Sequence, residues 1–156
     1  MNLSDFERRF LDRFQKEVAA DFEIGRNDYG ILTLTKKAPC EEIGTLNVFV
    51  KPHDIMISCK VTHTHCAVGF IDQDRRTDDP EHDMITEAIG KVNDFINDRI
   101  VVSETRAPNG NLIGSGWSPL SAVNFENPEY QKLIEDMHGT PITEHKWTWS
   151  GPFKKN

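Results

Sequence analysis

Apolar residues recur along this chain with two different periods, and each change of period marks a new element. Phe6, Phe10, Phe14 and Val18 fall four residues apart with Leu11 beside them, while Arg8, Arg9, Asp12, Arg13, Gln15 and Lys16 fill the intervening positions. That spacing draws one apolar stripe along a helix. Ser4 and Glu7 stand at its head in the S-x-x-E spacing, in which each side chain satisfies an end-of-helix amide of the other residue. The pattern predicts a helix over 5–20 with its phenylalanine face turned to the core.

A period of two then takes over. Phe22 to Ile24 is short, and Arg26-Asn27-Asp28-Tyr29-Gly30 is turn chemistry. Leu32 and Leu34 alternate with Thr33 and Thr35, and Leu46, Val48 and Val50 alternate with Thr45, Asn47 and Phe49. After the Pro52-His53-Asp54 turn, Ile55, Ile57, Cys59 and Val61 alternate with Met56, Ser58 and Lys60. Short turns between such runs predict an antiparallel meander. His65 to Ile71 reads as one more strand or as this one continued past a bend.

The helical period returns at 80–98, where Ile85, Ala88, Ile89, Val92, Phe95 and Ile96 share one face behind Asp79 as N-cap and Pro80 at the first helical position. Ile100 to Ala107 reads as a strand, Asn109-Gly110 as a hairpin turn, and Leu112 to Trp117 as the returning strand. A third helix with sparse apolar content (Tyr130, Leu133, Ile134, Met137) is expected over 128–138, and a last strand over 143–149, stopped by Gly151-Pro152. Strands grouped together, rather than alternating with helices, predict a single α+β domain over 1–156. The expected architecture is a mostly antiparallel sheet of six to seven strands, with two amphipathic helices packed on one face and a smaller third.

Composition narrows the partners. Eighteen Lys and Arg against 25 Asp and Glu give a net charge of −7. With no dense basic run, that balance disfavours a nucleic acid backbone and suits a cationic partner. No apolar run reaches the roughly 18 residues of a membrane span. The opening Met-Asn-Leu-Ser-Asp lacks the basic start and apolar stretch of a signal peptide. Cys40, Cys59 and Cys66 are odd in number, contain no CxxC and match no zinc module. A cytoplasmic protein with reduced thiols is the expectation.

Three features carry candidate chemistry. The first is Thr62-His63-Thr64-His65-Cys66. On a continuous strand His63 and His65 share a side, where two imidazoles can ligate a metal or act as acid and base. A metal needs a further ligand, for which Asp54, Asp72, His82 and His145 are conceivable. If the alternation of Ile57, Cys59 and Val61 continues, both histidines approach the core side. The second is the acidic stretch Asp72, Asp74, Asp78, Asp79, Glu81 and Asp83. It fails as a calcium loop, because Arg75 and Arg76 interrupt it, there is no central Gly and no closing Glu stands at the right distance. Its carboxylates suit the steering of a cationic partner. The third is aromatic: Trp147 and Trp149 lie two apart near the end of the chain, and Trp117 follows Gly114 and Gly116. Large rings of this kind anchor protein interfaces or cap cores. No phosphate loop, nucleophile elbow, metalloprotease helix or kinase set is present, and no cofactor is indicated.

The stretch Ile57 to Phe70, a hydrophobic strand running into His63-Thr64-His65, resembles small bacterial proteins of the immunity type. So does the overall plan: 156 residues, acidic, α+β, with an amphipathic second helix and an aromatic last strand. Such proteins are encoded beside polymorphic or contact-dependent growth inhibition toxins. The resemblance covers about residues 45–105 and carries no diagnostic motif, so it transfers no binding residue. It implies a stoichiometric cytoplasmic inhibitor, usually of a nuclease. The sequence thus favours a protein-binding module, with the 72–83 carboxylates steering and Trp117, Trp147 and Trp149 as anchors. The alternatives are a small metal-dependent enzyme using His63 and His65, or a ligand-binding domain. The oligomeric state is left open.

Overall fold

A computed structural model describes residues 2–123 and 128–154. Its elements are α1 (Asp5–Glu17), β1 (Glu23–Arg26), β2 (Leu32–Lys37), β3 (Thr45–Lys51), β4 (Asp54–Ser58), β5 (His63–Cys66), α2 (Pro80–Ile96), β6 (Ile100–Arg106), β7 (Leu112–Pro119), α3 (Pro128–His138), β8 (Thr143–Thr148) and β9 (Gly151–Pro152). Single turns of 3-10 helix lie at Val68–Phe70, Gln73–Arg75 and Leu120–Ala122. The chain is α+β with antiparallel sheets, as the grouping of its strands predicts. The described strands form two sheets: one of five in the order β1-β2-β3-β4-β5, and one of four in the order β7-β6-β8-β9.

One core joins them. α1 buries Phe6, Phe10, Leu11 and Phe14, and α2 buries Met84, Ile85, Ala88, Ile89, Val92 and Phe95. Against these lie Leu32, Leu34, Leu46, Val48, Val50, Ile55, Ile57 and Cys66 of the first sheet, with Ile100 and Val102 of the second. Each fully buried large side chain contributes about 1.5–3 kcal/mol relative to exposure. Val101, on the opposite side of β6 from Val102, and Ile134 of α3 are buried outside this cluster. The sheets meet near β5 and β7, where Ser115 Oγ donates to Thr62 Oγ1 at 3.2 Å.

The capping box forms as the spacing predicts: Glu7 N donates to Ser4 Oγ at 3.2 Å, and Ser4 N to Glu7 Oε2 at 2.8 Å. α1 nevertheless ends at Glu17. Val18 turns to an extended conformation (φ −104°, ψ 109°) and is still buried, so the apolar stripe outlasts the helix. β4 likewise stops at Ser58, short of Val61. Cys59 N donates to Thr62 O and Lys60 N to Ile43 O, closing a tight turn. Cys59 and Val61 prolong the apolar alternation because both pack at the edge of the core from within that turn. At the other end of α2, Asp98 adopts a positive φ of 58° and its carboxylate accepts from Ser150 N and Oγ at 2.8 and 2.6 Å, tying the helix to the β8–β9 turn. Gly151-Pro152 does not simply stop the last strand. It returns beside Thr148 and Trp147 as β9.

Among the described residues no helix is long and apolar enough to cross a membrane.

Candidate functional site

The acidic stretch joins β5 to α2, and its carboxylates take three different environments. Asp83 is only 5% exposed and accepts from Thr77 N and Oγ1 at 2.8 and 2.7 Å, clamping the loop to the first turn of α2. Asp79 is the N-cap, with Oδ1 accepting from His82 N at 3.0 Å. Its Oδ2 accepts from Arg9 Nη2 at 2.6 Å, while Glu81 Oε2 accepts from Arg9 Nη1 at 2.9 Å. The His82 amide and the Arg9 guanidinium hold the Asp79 carboxyl below its usual range. Asp72, Asp74 and Asp78 are exposed and form no ion pair among the described residues. The nearby arginines are engaged elsewhere: Arg75 with Glu87 at 2.6 Å, and Arg76 with the Ile71 carbonyl at 2.8 Å.

This segment forms one wall of a cavity of about 890 Å³. Asp78, Asp79 and Glu81 stand on its rim, Pro52 and His53 of the β3–β4 turn face them, and Ala67, Val68 and Met84 supply apolar surface. A concavity with apolar lining and a few convergent charges is the usual form of a binding site. Here three carboxylates face a single guanidinium, that of Arg9, which also lines the cavity, so the charge is net negative.

The tryptophans belong to the second sheet and the β8–β9 turn. Trp149 is 6% exposed, with its ring 5.6 Å from Phe95, and Trp117 is half-buried, 4.6 Å from the same ring. Trp147 is half-buried and stacks on His145 at 5.7 Å. Val102 pairs with Trp117 on one side and Trp147 on the other, so the three form a row that meets the end of α2. Trp117 Nε1 is buried without a hydrogen-bond partner among the described residues. The sequence pattern did not single out Phe70, which is 75% exposed. It falls in a stretch that reads as a strand. Phe70 N instead donates to the Ala67 carbonyl in a 3-10 turn, and the ring lies 6.4 Å from that of His65.

The paired histidines occupy the face of the first sheet that the helices leave uncovered. The turn at 59–62 resets the strand phase, so Thr64 and Cys66 face the core side and His63 and His65 face outward, contrary to what continued alternation implies. Two cross-sheet rows result: Thr33, Phe49, Met56 and His65, then Thr35, Asn47, Ser58 and His63. The two imidazoles lie 5.2 Å apart, edge to face. Asp54 holds His65 through Nδ1, at 2.9 and 3.0 Å from its two oxygens. Of the conceivable third ligands, only Asp54 is brought to this pair by a bond; His82 lies 3.4 Å from Arg13, and His145 belongs to the second sheet. Among the described residues no group of three His, Cys, Asp or Glu side chains is placed to hold a metal ion.

The thiols are poorly placed for nucleophilic work. Cys66 is fully buried and burial pushes it up to about 12, burial also raises Cys59, and Cys40 donates to Glu42 at 3.2 Å. All three are free.

Comparison of the chain with family models, curated proteins and solved structures finds no match. What can be stated of its class is therefore what the geometry defines: an α+β protein with two antiparallel sheets around a shared core, and a carboxylate-rimmed cavity at the head of its second helix.

Proposed function

We propose that this chain is a protein-binding module that docks a cationic partner at the head of α2, and that it acts as an immunity protein, neutralising a basic toxin domain of the nuclease type. The observation that carries the reading is the outward trio Asp72, Asp74 and Asp78 beside a cavity whose rim is acidic and whose lining is partly apolar. A net charge of −7 reinforces it. A cationic surface approaching this field gains association rate from long-range attraction, and the apolar lining offers a pocket for an anchoring side chain once water is expelled. The exposed ring of Phe70, next to Val68 and Gly69 of the cavity lining, is further aromatic surface for such a contact.

The test begins with the neighbouring reading frame. If it encodes a secreted protein with a basic C-terminal domain, that domain and this chain form a one-to-one complex, and co-expression protects the host cell. Replacing Asp72, Asp74 and Asp78 together by Asn slows association at low salt about tenfold or more, and the difference shrinks as salt rises. A neighbour domain that ignores this chain, or a triple variant that associates as fast as the parent, sinks the proposal.

A further inference from the structure

We infer that the uncovered face of the first sheet carries a binding site for a soft or borderline transition-metal cation, copper ahead of zinc, built on the imidazoles of His63 and His65. This goes beyond the docking of a protein at the head of α2 and uses none of the same side chains.

Four observations support it. Both rings project from one strand to the same side and stand 5.2 Å apart, so small side-chain rotations bring one nitrogen of each toward a shared ion. His65 is already oriented: its Nδ1 faces both oxygens of Asp54 at 2.9 and 3.0 Å. In the neutral ring, Nδ1–H donating there leaves the lone pair on Nε2. This is the carboxylate–histidine arrangement that fixes the tautomer and raises the basicity of a metal-binding imidazole. The pair is also reachable, since the His65 side chain is 37% exposed and His63 is exposed. Finally, Met56 is the cross-strand partner of His65, shares its face and is half-buried, so a thioether-bearing side chain neighbours the pair.

The donor set decides the class of ion. Imidazole and thioether are poor ligands for calcium and magnesium, which take oxygen, and suit copper and zinc. Between those two, the general order of divalent affinities puts copper first. Asp54 is committed to His65, with Lys51 Nζ 3.9 Å from the same carboxylate, so it acts through the histidine rather than as a ligand. Since no third His, Cys, Asp or Glu completes the set among the described residues, the remaining coordination positions open to solvent.

The experiment titrates the full chain with copper(II) and, separately, zinc(II), following the ring resonances of all six histidines and the heat of binding. Copper is expected to broaden the His63 and His65 signals before those of His53, His82, His138 and His145, and to bind more tightly than zinc. His63→Ala and His65→Ala each weaken copper binding at least tenfold. Asp54→Asn, which leaves both imidazoles in place, weakens it about 10- to 100-fold. Circular dichroism confirms that each variant is folded. Broadening spread evenly over the six histidines overturns the inference, and so does a His65→Ala variant that binds copper within twofold of the parent.

Discussion

Arg9 of α1 reaches across to the N-cap of α2, with Nη2 2.6 Å from Asp79 and Nη1 2.9 Å from Glu81. The acidic segment is thereby divided: two of its carboxylates are met by an internal cation, while Asp72, Asp74 and Asp78 are not. Arg9→Gln should unmask Asp79 and Glu81 and deepen the negative field at the cavity. The expected result is tighter binding of a polylysine peptide at low salt, with the gain disappearing as salt screens it. Unfolding should shift little, because Arg9 and Asp79 are 45% and 49% exposed and such pairs contribute little to stability. Equal or weaker polylysine binding by the variant contradicts this account of the field.

Asp83 belongs to the same run of sequence but to a different physical category. Its buried carboxylate satisfies two donors of Thr77, so Asp83→Ala strands them and frees the loop. A loss of about 1.5–3 kcal/mol is expected by urea denaturation, the usual range for bonds to a charged acceptor. The Asp72, Asp74 and Asp78 triple Asn variant should unfold within error of the parent. If the triple variant is the less stable of the two, the assignment of inside and outside carboxylates is wrong.

Trp117 and Trp149 both rest on Phe95, yet truncating them should cost very different amounts. Trp149→Ala empties a buried site and should cost about 3–5 kcal/mol. Trp117→Phe keeps an aromatic ring and removes a buried indole N–H that no group among the described residues accepts. An orphaned donor costs about 1–3 kcal/mol, which offsets part of the lost burial. Trp117→Phe is therefore expected to fall within about 1 kcal/mol of the parent. A loss as large as that of Trp149→Ala would contradict the reading of this N–H as an unpartnered donor.

Much of this fold is legible in the sequence because its helices and long strands obey one period each. The bounds of α3, 128–138, coincide with those expected, and the stripe of α2 does so to within two residues. The discrepancies occur where an apolar pattern serves something other than a regular element. Val18, Cys59 and Val61 continue their periods into a cap and a turn because the core still needs them there. That concealed turn reverses the facing of His63 and His65, and it is why the open side of the sheet is not readable from alternation alone. The division into two sheets is equally hidden, since strand period says nothing about which strands are neighbours. At the candidate site, composition identifies the acidic run. Whether a carboxylate is spent internally depends on Arg9 and Thr77, and Arg9 lies 70 residues away from Asp79.

The Glu7–Arg26 pair gives the fold a measurable acid sensitivity. Arg26 donates from Nη1 to Glu7 Oε1 at 2.7 Å and from Nη2 to Oε2 at 3.0 Å, and its side chain joins β1 to the head of α1. Those bonds, aided by the Ser4 amide and hydroxyl, lower the Glu7 carboxyl from 4.5 to about 2. The folded state therefore holds this proton less tightly than the unfolded chain does. Stability from Glu7 is fully present above its ordinary value of 4.5 and drains away as pH falls toward 2. Glu7→Gln keeps an acceptor for the Ser4 amide but removes the charge that Arg26 answers. The parent should exceed this variant by roughly 1 kcal/mol near neutral pH, the upper end for a pair screened by solvent. Other carboxyls, including those of Glu17 and Glu104, are lowered as well, so the diagnostic quantity is the difference between the two proteins rather than either curve alone. Denaturant melts at steps between pH 6 and pH 2 should show that difference shrinking through the acid range and vanishing at its lower end. A gap that stays constant with pH would assign the effect to packing, and a gap that widens in acid would reverse the sign of the linkage.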